Sequence, residues 1–185
     1  MRGRRKQAAA ALPDAAERAA AHADDMLDAV FAEVGGAQEQ PLVALYKAIG
    51  SELGADPLAR ALAARDVLLA LPVAVRRDAP LIFRRWTPGD PLEPDASGCP
   101  APLDLAAEVR PDLIVTPLLA FDRTGGRLGQ GGGYYDRTFA VLPDIARVGL
   151  AYSAQELDDL PMDPHDQRLD GVLTETGYRA ACISH

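Results

Sequence analysis

Asp112-Leu-Ile-Val-Thr-Pro-Leu-Leu-Ala-Phe121 is the most continuous apolar run in the chain. An unbroken apolar stretch reads as a central strand covered on both faces, the situation of a parallel sheet flanked by helices. Pro117 qualifies that reading. Proline has no N–H to give to a ladder, so the strand should end, bulge or lose a pairing there, and the chain should then bend toward the glycine-rich segment that follows.

The flanking segments extend the pattern. Upstream, Pro41–Ala48 (PLVALYKA) is short and apolar, Pro57–Ala64 (PLARALAA) reads as a helix, and Asp66–Val75 (DVLLALPVAV) returns to buried-strand composition. Strand, helix and strand in succession suggest a βαβ unit. Pro80–Trp86 (PLIFRRW) reads as a further strand, whereas Thr87–Pro102 carries Pro88, Gly89, Pro91, Pro94, Gly98, Pro100 and Pro102 and is expected to be mostly turn or loop. Downstream, Tyr134–Leu142 reads as a helix ended by Pro143, Arg147–Tyr152 as a strand, Gln155–Leu160 as a helical turn and Gly171–Glu175 as the final strand. Near the start, Asp14 and Glu17 resemble a capping box, and Leu27, Val30, Phe31 and Val34 follow at helical spacing before Gly35-Gly36. That pattern predicts one amphipathic helix with a glycine stop. Alternating elements of this kind argue for a three-layer α/β/α domain with a mainly parallel sheet, expected as a single unit over residues 1–185.

Composition narrows the function classes. The 185 residues suffice to bury a core without disulfides or structural metal, and 48% hydrophobic with 25% charged residues is ordinary for a globular chain. No apolar run approaches the roughly 20 residues needed to span a bilayer, and the alanines after Arg2, Arg4, Arg5 and Lys6 are too weakly apolar for a signal-peptide core. A cytoplasmic monomer is the working expectation. Cys99 and Cys182 are the only cysteines and show neither CxxC nor Cys/His spacing, which argues against a disulfide scaffold and a zinc site. A net charge of −8 works against nucleic-acid binding, so the basic start reads as a solvated first helix turn. His22 shows no partner in the sequence, and His165 reads as structural or exposed.

Gly125, Gly126, Gly129, Gly131, Gly132 and Gly133 fall between the strongest strand candidate and a helix. Glycine lets a ligand approach the main chain, and a helix N-terminus adds free N–H groups that favour an anion. The segment is neither a Walker A loop, since no Gly-Lys-Ser/Thr follows, nor GxGxxG, since Tyr134 stands where the last glycine would be. Arg127 and Arg137 bracket the glycines as possible phosphate contacts. Asp136 could hold magnesium or merely cap the helix, and one of Tyr134 and Tyr135 could stack on a flat heterocycle. No Ser-His or Cys-His pair is apparent, so no side chain is read as a nucleophile.

Arg127–Arg137 (RLGQGGGYYDR), preceded by Pro117–Asp122 (PLLAFD), closely resembles the signature of the 5-formyltetrahydrofolate cyclo-ligase family. The resemblance continues in order through Tyr46–Leu53 (YKAIGSEL), Leu71-Pro72, Phe83–Asp90 (FRRWTPGD), Val148–Gln155 (VGLAYSAQ) and Leu160–Glu175 (LPMDPHDQRLDGVLTE). It implies a NagB/RpiA-like α/β fold and an ATP- and magnesium-dependent conversion of 5-formyltetrahydrofolate to 5,10-methenyltetrahydrofolate, ADP and phosphate. The residues implied for ATP are Arg127, Leu128, Gly129, Gln130, Gly131, Gly132, Gly133, Tyr134 and Tyr135, with Arg4, Arg5 and Lys6 from the basic start. For the folate they are Glu52, Gln130, Gly131, Gly132, Gly133 and Tyr134, and for Mg2+ they are Asp136 and Asp166.

The family's first helix carries a lysine and an arginine upstream of a basic pair. Arg4-Arg5 stands as that pair here and puts the upstream lysine before Met1. Either the chain start lies further upstream, or Arg2, Arg4, Arg5 and Lys6 compensate, or phosphate binding is weakened; a version extended upstream is expected to bind ATP more tightly. A folate- or nucleotide-binding relative without turnover is the alternative to an enzyme.

Overall fold

A computed structural model describes residues 1–32, 40–161, 163 and 166–182. In chain order its helices are α1 (Arg2–Ala11), α2 (Ala15–Ala20), α3 (Ala23–Phe31), α4 (Asp56–Ala63) and α5 (Tyr134–Val141). The strands are β1 (Leu42–Ala44), β2 (Leu68–Val73), β3 (Ile82–Arg85), β4 (Leu92–Pro94), β5 (Pro100–Pro102), β6 (Glu108–Val109), β7 (Leu113–Pro117), β8 (Ala120–Phe121), β9 (Arg127–Leu128), β10 (Ala146–Leu150), β11 (Gly171–Thr174) and β12 (Gly177–Ala180). The main sheet has the order β12-β11-β10-β7-β1-β2-β3-β6. Strands β11, β10, β7, β1 and β2 run parallel, and β12, β3 and β6 pair antiparallel at the edges.

Apolar runs without polar alternation fit this sheet because the pleat sends successive side chains into two separate cores. Val43, Leu45, Leu69, Leu71, Leu113 and Val115 pack with Ala19, Met26, Leu58 and Leu62 from α2, α3 and α4. Leu42, Ala44, Ala70 and Ile114 face the other way, against Phe139 of α5 and Ile145. The registers Val43↔Leu113 and Ala44↔Ile114 keep the two sets on their own faces. At the amino ends, the Asp112 carboxylate accepts the Leu42 N–H at 2.8 Å, and Leu42 O accepts the Asp112 N–H at 2.8 Å.

The βαβ unit expected over residues 41–75 is present as β1-α4-β2, with Pro57 in the first turn of α4. From β1 the chain steps toward β3; from β7 it steps through α5 to β10, the opposite way. Since such crossovers are right-handed, opposite steps put α4 and α5 on opposite faces. The three layers follow from that.

Several local expectations change. The helix predicted from Asp14 is interrupted, because Ala21 and His22 form a turn that lets α2 lie on α4 while α3 reaches β12. No capping box forms: Asp14 has φ −95° and ψ 4°, away from the extended geometry that aims a side chain at the next N–H groups, and makes no side-chain cap bond. His22 has a partner, its Nδ1 lying 3.2 Å from Asp25 Oδ2. Val34, Gly35, Gly36 and His165 lie outside the described residues.

Within 87–102, β4 and β5 pair as a hairpin, its prolines tolerated in a short two-stranded ribbon where few ladder donors are needed. Pro117 ends β7 as expected, and β8 and β9 then pair before the glycines. The helical turn expected at 155–160 falls earlier, at Ser153–Gln155, because Gln155 is tied to Tyr152 N (2.9 Å) and Leu118 O (2.8 Å). Gly171–Glu175 is followed by β12, whose antiparallel return closes that edge.

Leu113 is fully buried between β1 and β10 on the helix-rich face. Leu113→Ala is expected to lower unfolding free energy by about 2–5 kcal/mol in urea titrations. Leu105→Ala, at an 87% exposed position, should stay within about 0.5 kcal/mol of wild type.

Candidate active site

β1 and β7 lie side by side and their connections leave in opposite directions, which opens a crevice beyond their carboxyl ends, the usual ligand position in open α/β sheets. A cleft of ≈ 780 Å³ opens there, lined by Tyr46, Lys47, Ile49 and Glu52 from the segment after β1, by Pro72 and Ala74 at the end of β2, and by Pro117 at the end of β7. Its facing wall is the segment from Arg127 to Asp136, with Asp163 and Asp166 at the rim. The volume suits a small-molecule ligand.

Glu52 is brought into the cleft by a turn in which Gly50 adopts φ +63°. It is only 8% exposed, so its carboxylate must be hydrogen-bonded. Oε2 accepts the Ile49 N–H at 2.8 Å, and Oε1 accepts Gln130 Nε2 at 2.6 Å. The solvated charge that a glutamate after a strand would ordinarily be is thus a buried, oriented acceptor joined to the glycine segment.

That segment is shaped before it reaches the cleft. Asp122 is buried and accepts Thr124 N (2.8 Å), Thr124 Oγ1 (2.8 Å), Gly126 N (3.0 Å) and Leu160 N (3.1 Å). A side chain at Gly126 would meet the Asp122 carboxylate at 2.4 Å, so glycine is required there. Burial pushes the Asp122 carboxyl up, but the Thr124, Gly126 and Leu160 donors outweigh it and hold the group below the ordinary aspartate range. At the other end, Gly133 caps α5 with φ +64°. Arg137, read as a phosphate contact, donates to Gly132 O (2.8 Å) and Ala79 O (3.3 Å) and lies 5.2 Å from the Tyr134 ring centre.

Arg127 pairs with Asp136 and packs over Phe139 at 5.3 Å, while its buried Nε has no hydrogen-bond partner among the described residues. Asp136 and Asp166 line the same cleft, but no group of three or more potential metal ligands forms among the described residues. Asp166 is bonded through Oδ2 to Asp163 N at 2.8 Å. Tyr135 loses water to its surroundings, which with the negative charge of Glu52 pushes its phenol well up against the pull of Arg127. The phenol therefore stays protonated at neutral pH and can act as a neutral donor.

The basic start divides. Arg4 and Lys6 are exposed and do not line the cleft, whereas Arg5 is buried beneath it, 3.6 Å from Glu52 Oε1. A solvated first turn is thus correct for its neighbours and wrong for Arg5, whose charge is matched by a buried carboxylate. Sequence reading also missed the wall built by the β4–β5 hairpin, where Asp95, Ser97 and Cys99 line the cleft. Asp95 accepts Ala74 N (2.7 Å), Ser97 N (2.8 Å) and Cys99 N (3.1 Å). Burial raises its carboxyl, and these bonds with that of the Ser97 hydroxyl lower it further than burial raises it. The signal was present: Asp95-Ala-Ser-Gly98 and Asp122-Arg-Thr-Gly125 both put Asp two residues before a hydroxyl and three before glycine, an Asx-turn pattern.

A sequence profile of the 5-formyltetrahydrofolate cyclo-ligase family matches residues 2–175. The chain belongs to that family. The 5-formyltetrahydrofolate cyclo-ligase of Haemophilus influenzae is 34% identical over 138 residues, covering 71% of this chain and 74% of that one. The enzyme of the same name from Mycolicibacterium smegmatis is 38% identical over 141 residues, covering 71% and 72%. Among solved structures, the 5,10-methenyltetrahydrofolate synthetase of Aquifex aeolicus superposes with a TM-score of 0.66 at 29% identity, over 91% of this chain and 84% of that one. A synthetase from Mycoplasma pneumoniae, 22% identical, shares the fold with a TM-score of 0.59 over 94% and 98%. This cyclo-ligase family member is therefore an enzyme with the mainly parallel α/β fold of those structures. Among its described residues no helix is long and apolar enough to cross a membrane.

The depressed Asp122 carboxyl has a measurable consequence. Its stabilisation is complete above the ordinary aspartate value of about 3.9 and is lost as pH falls through the lower folded value. Asp122→Asn should therefore be clearly less stable than wild type at neutral pH, and the gap should close on acidification. Urea midpoints across that range check it, and a gap that is constant with pH would contradict it.

Proposed function

We propose that the cleft converts 5-formyltetrahydrofolate and ATP to 5,10-methenyltetrahydrofolate, ADP and phosphate. The observation that carries this reading is the 2.6 Å bond joining Glu52, in the turn after β1, to Gln130 of the glycine segment across one cleft at the strand crossover point. Membership of the cyclo-ligase family and the named activities of the relatives support it.

The chemistry requires activation of a poor leaving group. In this reading the formyl oxygen takes the γ-phosphoryl group of ATP and ADP departs. N10 of the folate then attacks the formyl carbon and loses its proton, and the C–O bond breaks to release phosphate. Each bond forms between substrate atoms, so the protein positions them and neutralises charge. The Gly129–Gly133 backbone and the start of α5 offer N–H groups to phosphate oxygens, while Arg127, held by Asp136, supplies a fixed cation. Glu52 accepts N–H groups of the folate's heterocycle, and Tyr134 borders its ring.

A magnesium ion fits the donor set, since two hard carboxylates facing the same cleft, completed by phosphate oxygens, are what Mg2+ ordinarily takes. Asp136 and Asp166 would hold it, and it would supply positive charge against the polyphosphate. The enzyme is read as a cytoplasmic monomer with no nucleic-acid or membrane partner.

Purified chain given 5-formyltetrahydrofolate, ATP and magnesium should develop methenyltetrahydrofolate absorbance, and none without ATP. Absence of product at high enzyme concentration would remove the reading. Asp136→Ala should lower turnover by about 100-fold or more while the chain still unfolds cooperatively in urea, at a lower midpoint because the buried Arg127 loses its counter-charge. Full activity in that variant would take Asp136 out of the metal site.

A further inference from the structure

Arg5 is a charged side chain that the cleft does not expose. Its side chain is 6% exposed and that of Glu52 4%. Nε donates to Ser51 Oγ at 3.2 Å, and Nη1 donates to Leu118 O at 3.4 Å while lying 3.6 Å from Glu52 Oε1. Leu118 O also accepts Gln155 Nε2 at 2.8 Å. One guanidinium on α1 is thereby fastened to the turn after β1 and to the turn after β7, the two strands that flank the cleft. Glu52 and Gln130 line the cleft and Arg5 does not, so the cation approaches the carboxylate from behind.

That arrangement suits a different task from the phosphate contact implied for the basic start. A phosphate could reach this guanidinium only if α1 lifted from the sheet, which would break the Ser51 and Leu118 bonds and leave Glu52 without its counter-charge. Left in place, the guanidinium sets where the carboxylate sits. Oε1 is held between Arg5 and Gln130, and Oε2 is held by Ile49 N at 2.8 Å. We infer that Arg5 is a positioning residue for Glu52: it orients the carboxylate that receives the folate and couples docking of α1 to folate binding, without itself contacting ATP. This rests on the proposed folate reading of Glu52.

The test uses the full chain in three forms, wild type, Arg5→Met and Arg5→Lys, with KM measured separately for 5-formyltetrahydrofolate and for ATP. Folate affinity without ATP is read from the fluorescence of Trp86, the single tryptophan, which lies 4.9 Å from the Nζ of the cleft residue Lys47. Arg5→Met should raise the folate KM and Kd by about 10-fold or more, because it leaves a buried carboxylate unpaired, and should leave the ATP KM within about 2-fold. Arg5→Lys should recover part of the folate affinity, since it restores the charge but not the planar fork that holds Ser51 and Leu118.

A selective rise in ATP KM, an equal rise in both, or unchanged folate affinity in both variants would overturn the inference. If Arg5→Met does not fold, Arg5→Lys decides alone: the expected result is weaker folate binding with unchanged ATP KM, and wild-type folate binding would overturn it. A wild type that binds the folate but does not turn it over overturns the proposed reaction. The Trp86 titration still decides the role of Arg5 in that case.

Discussion

Burial of β1 and β7 on both faces, with their crossovers leaving in opposite directions, is the constraint from which the rest of the molecule follows. Because the pleat divides Val43, Leu113 and Val115 from Leu42, Ala44 and Ile114, each strand needs cover on two sides. The chain supplies α1 to α4 on one side and α5 on the other. Opposite crossovers then leave the carboxyl ends of β1 and β7 uncovered, and a cleft results without any element being spent on making one.

What occupies that opening is organised by hydrogen-bonded carboxylates. Asp122, Asp95 and Glu52 each sit where backbone N–H groups would otherwise lack partners, and each accepts two or more donors. Asp122 sets the hairpin that launches the glycine segment, Asp95 sets the opposite wall, and Glu52 joins the β1 turn to the glycines. Flexible sequences such as Gly129–Gly133 can present backbone to a ligand only if their ends are fixed, and Asp122 at one end and Arg137 at the other fix them. Arg5 belongs to the same scheme from beneath, as a cation that gives the buried Glu52 a reason to stay where it is.

Membership of the cyclo-ligase family and the proposed ATP-driven ring closure agree with a site of this composition. A reaction whose bonds all form between substrate atoms asks for acceptors, donors and fixed charges at correct distances, and asks for no activated nucleophile. Arg127 illustrates the economy: one guanidinium is neutralised by Asp136, stacked on Phe139, and still keeps Nε unpartnered among the described residues.

Local chemistry decided much of the fold by sequence alone. The run from Asp112 read as a doubly covered strand, Pro117 marked where it should end, bulge or lose a pairing, and Pro57 and Pro143 bounded their helices, because these outcomes depend on neighbours within a few residues. The glycines before Tyr134 likewise marked a backbone-lined ligand wall, and the ordered blocks of resemblance pointed to the family. Pairings between distant segments were decided only by the tertiary structure. Whether Thr87–Pro102 is loop or hairpin depends on the Asp95 bond to Ala74, and whether a helix persists through Ala21 depends on the surfaces of α4 and β12 beneath it. Arg5 shows the division most clearly. Its sequence neighbours Arg4 and Lys6 are solvated and nothing local distinguishes it from them, yet the sheet ends bring Glu52, Ser51 and Leu118 to within 3.6 Å of it. Charge is read from sequence, but whether a charge faces water or a buried partner depends on contacts that only folding makes.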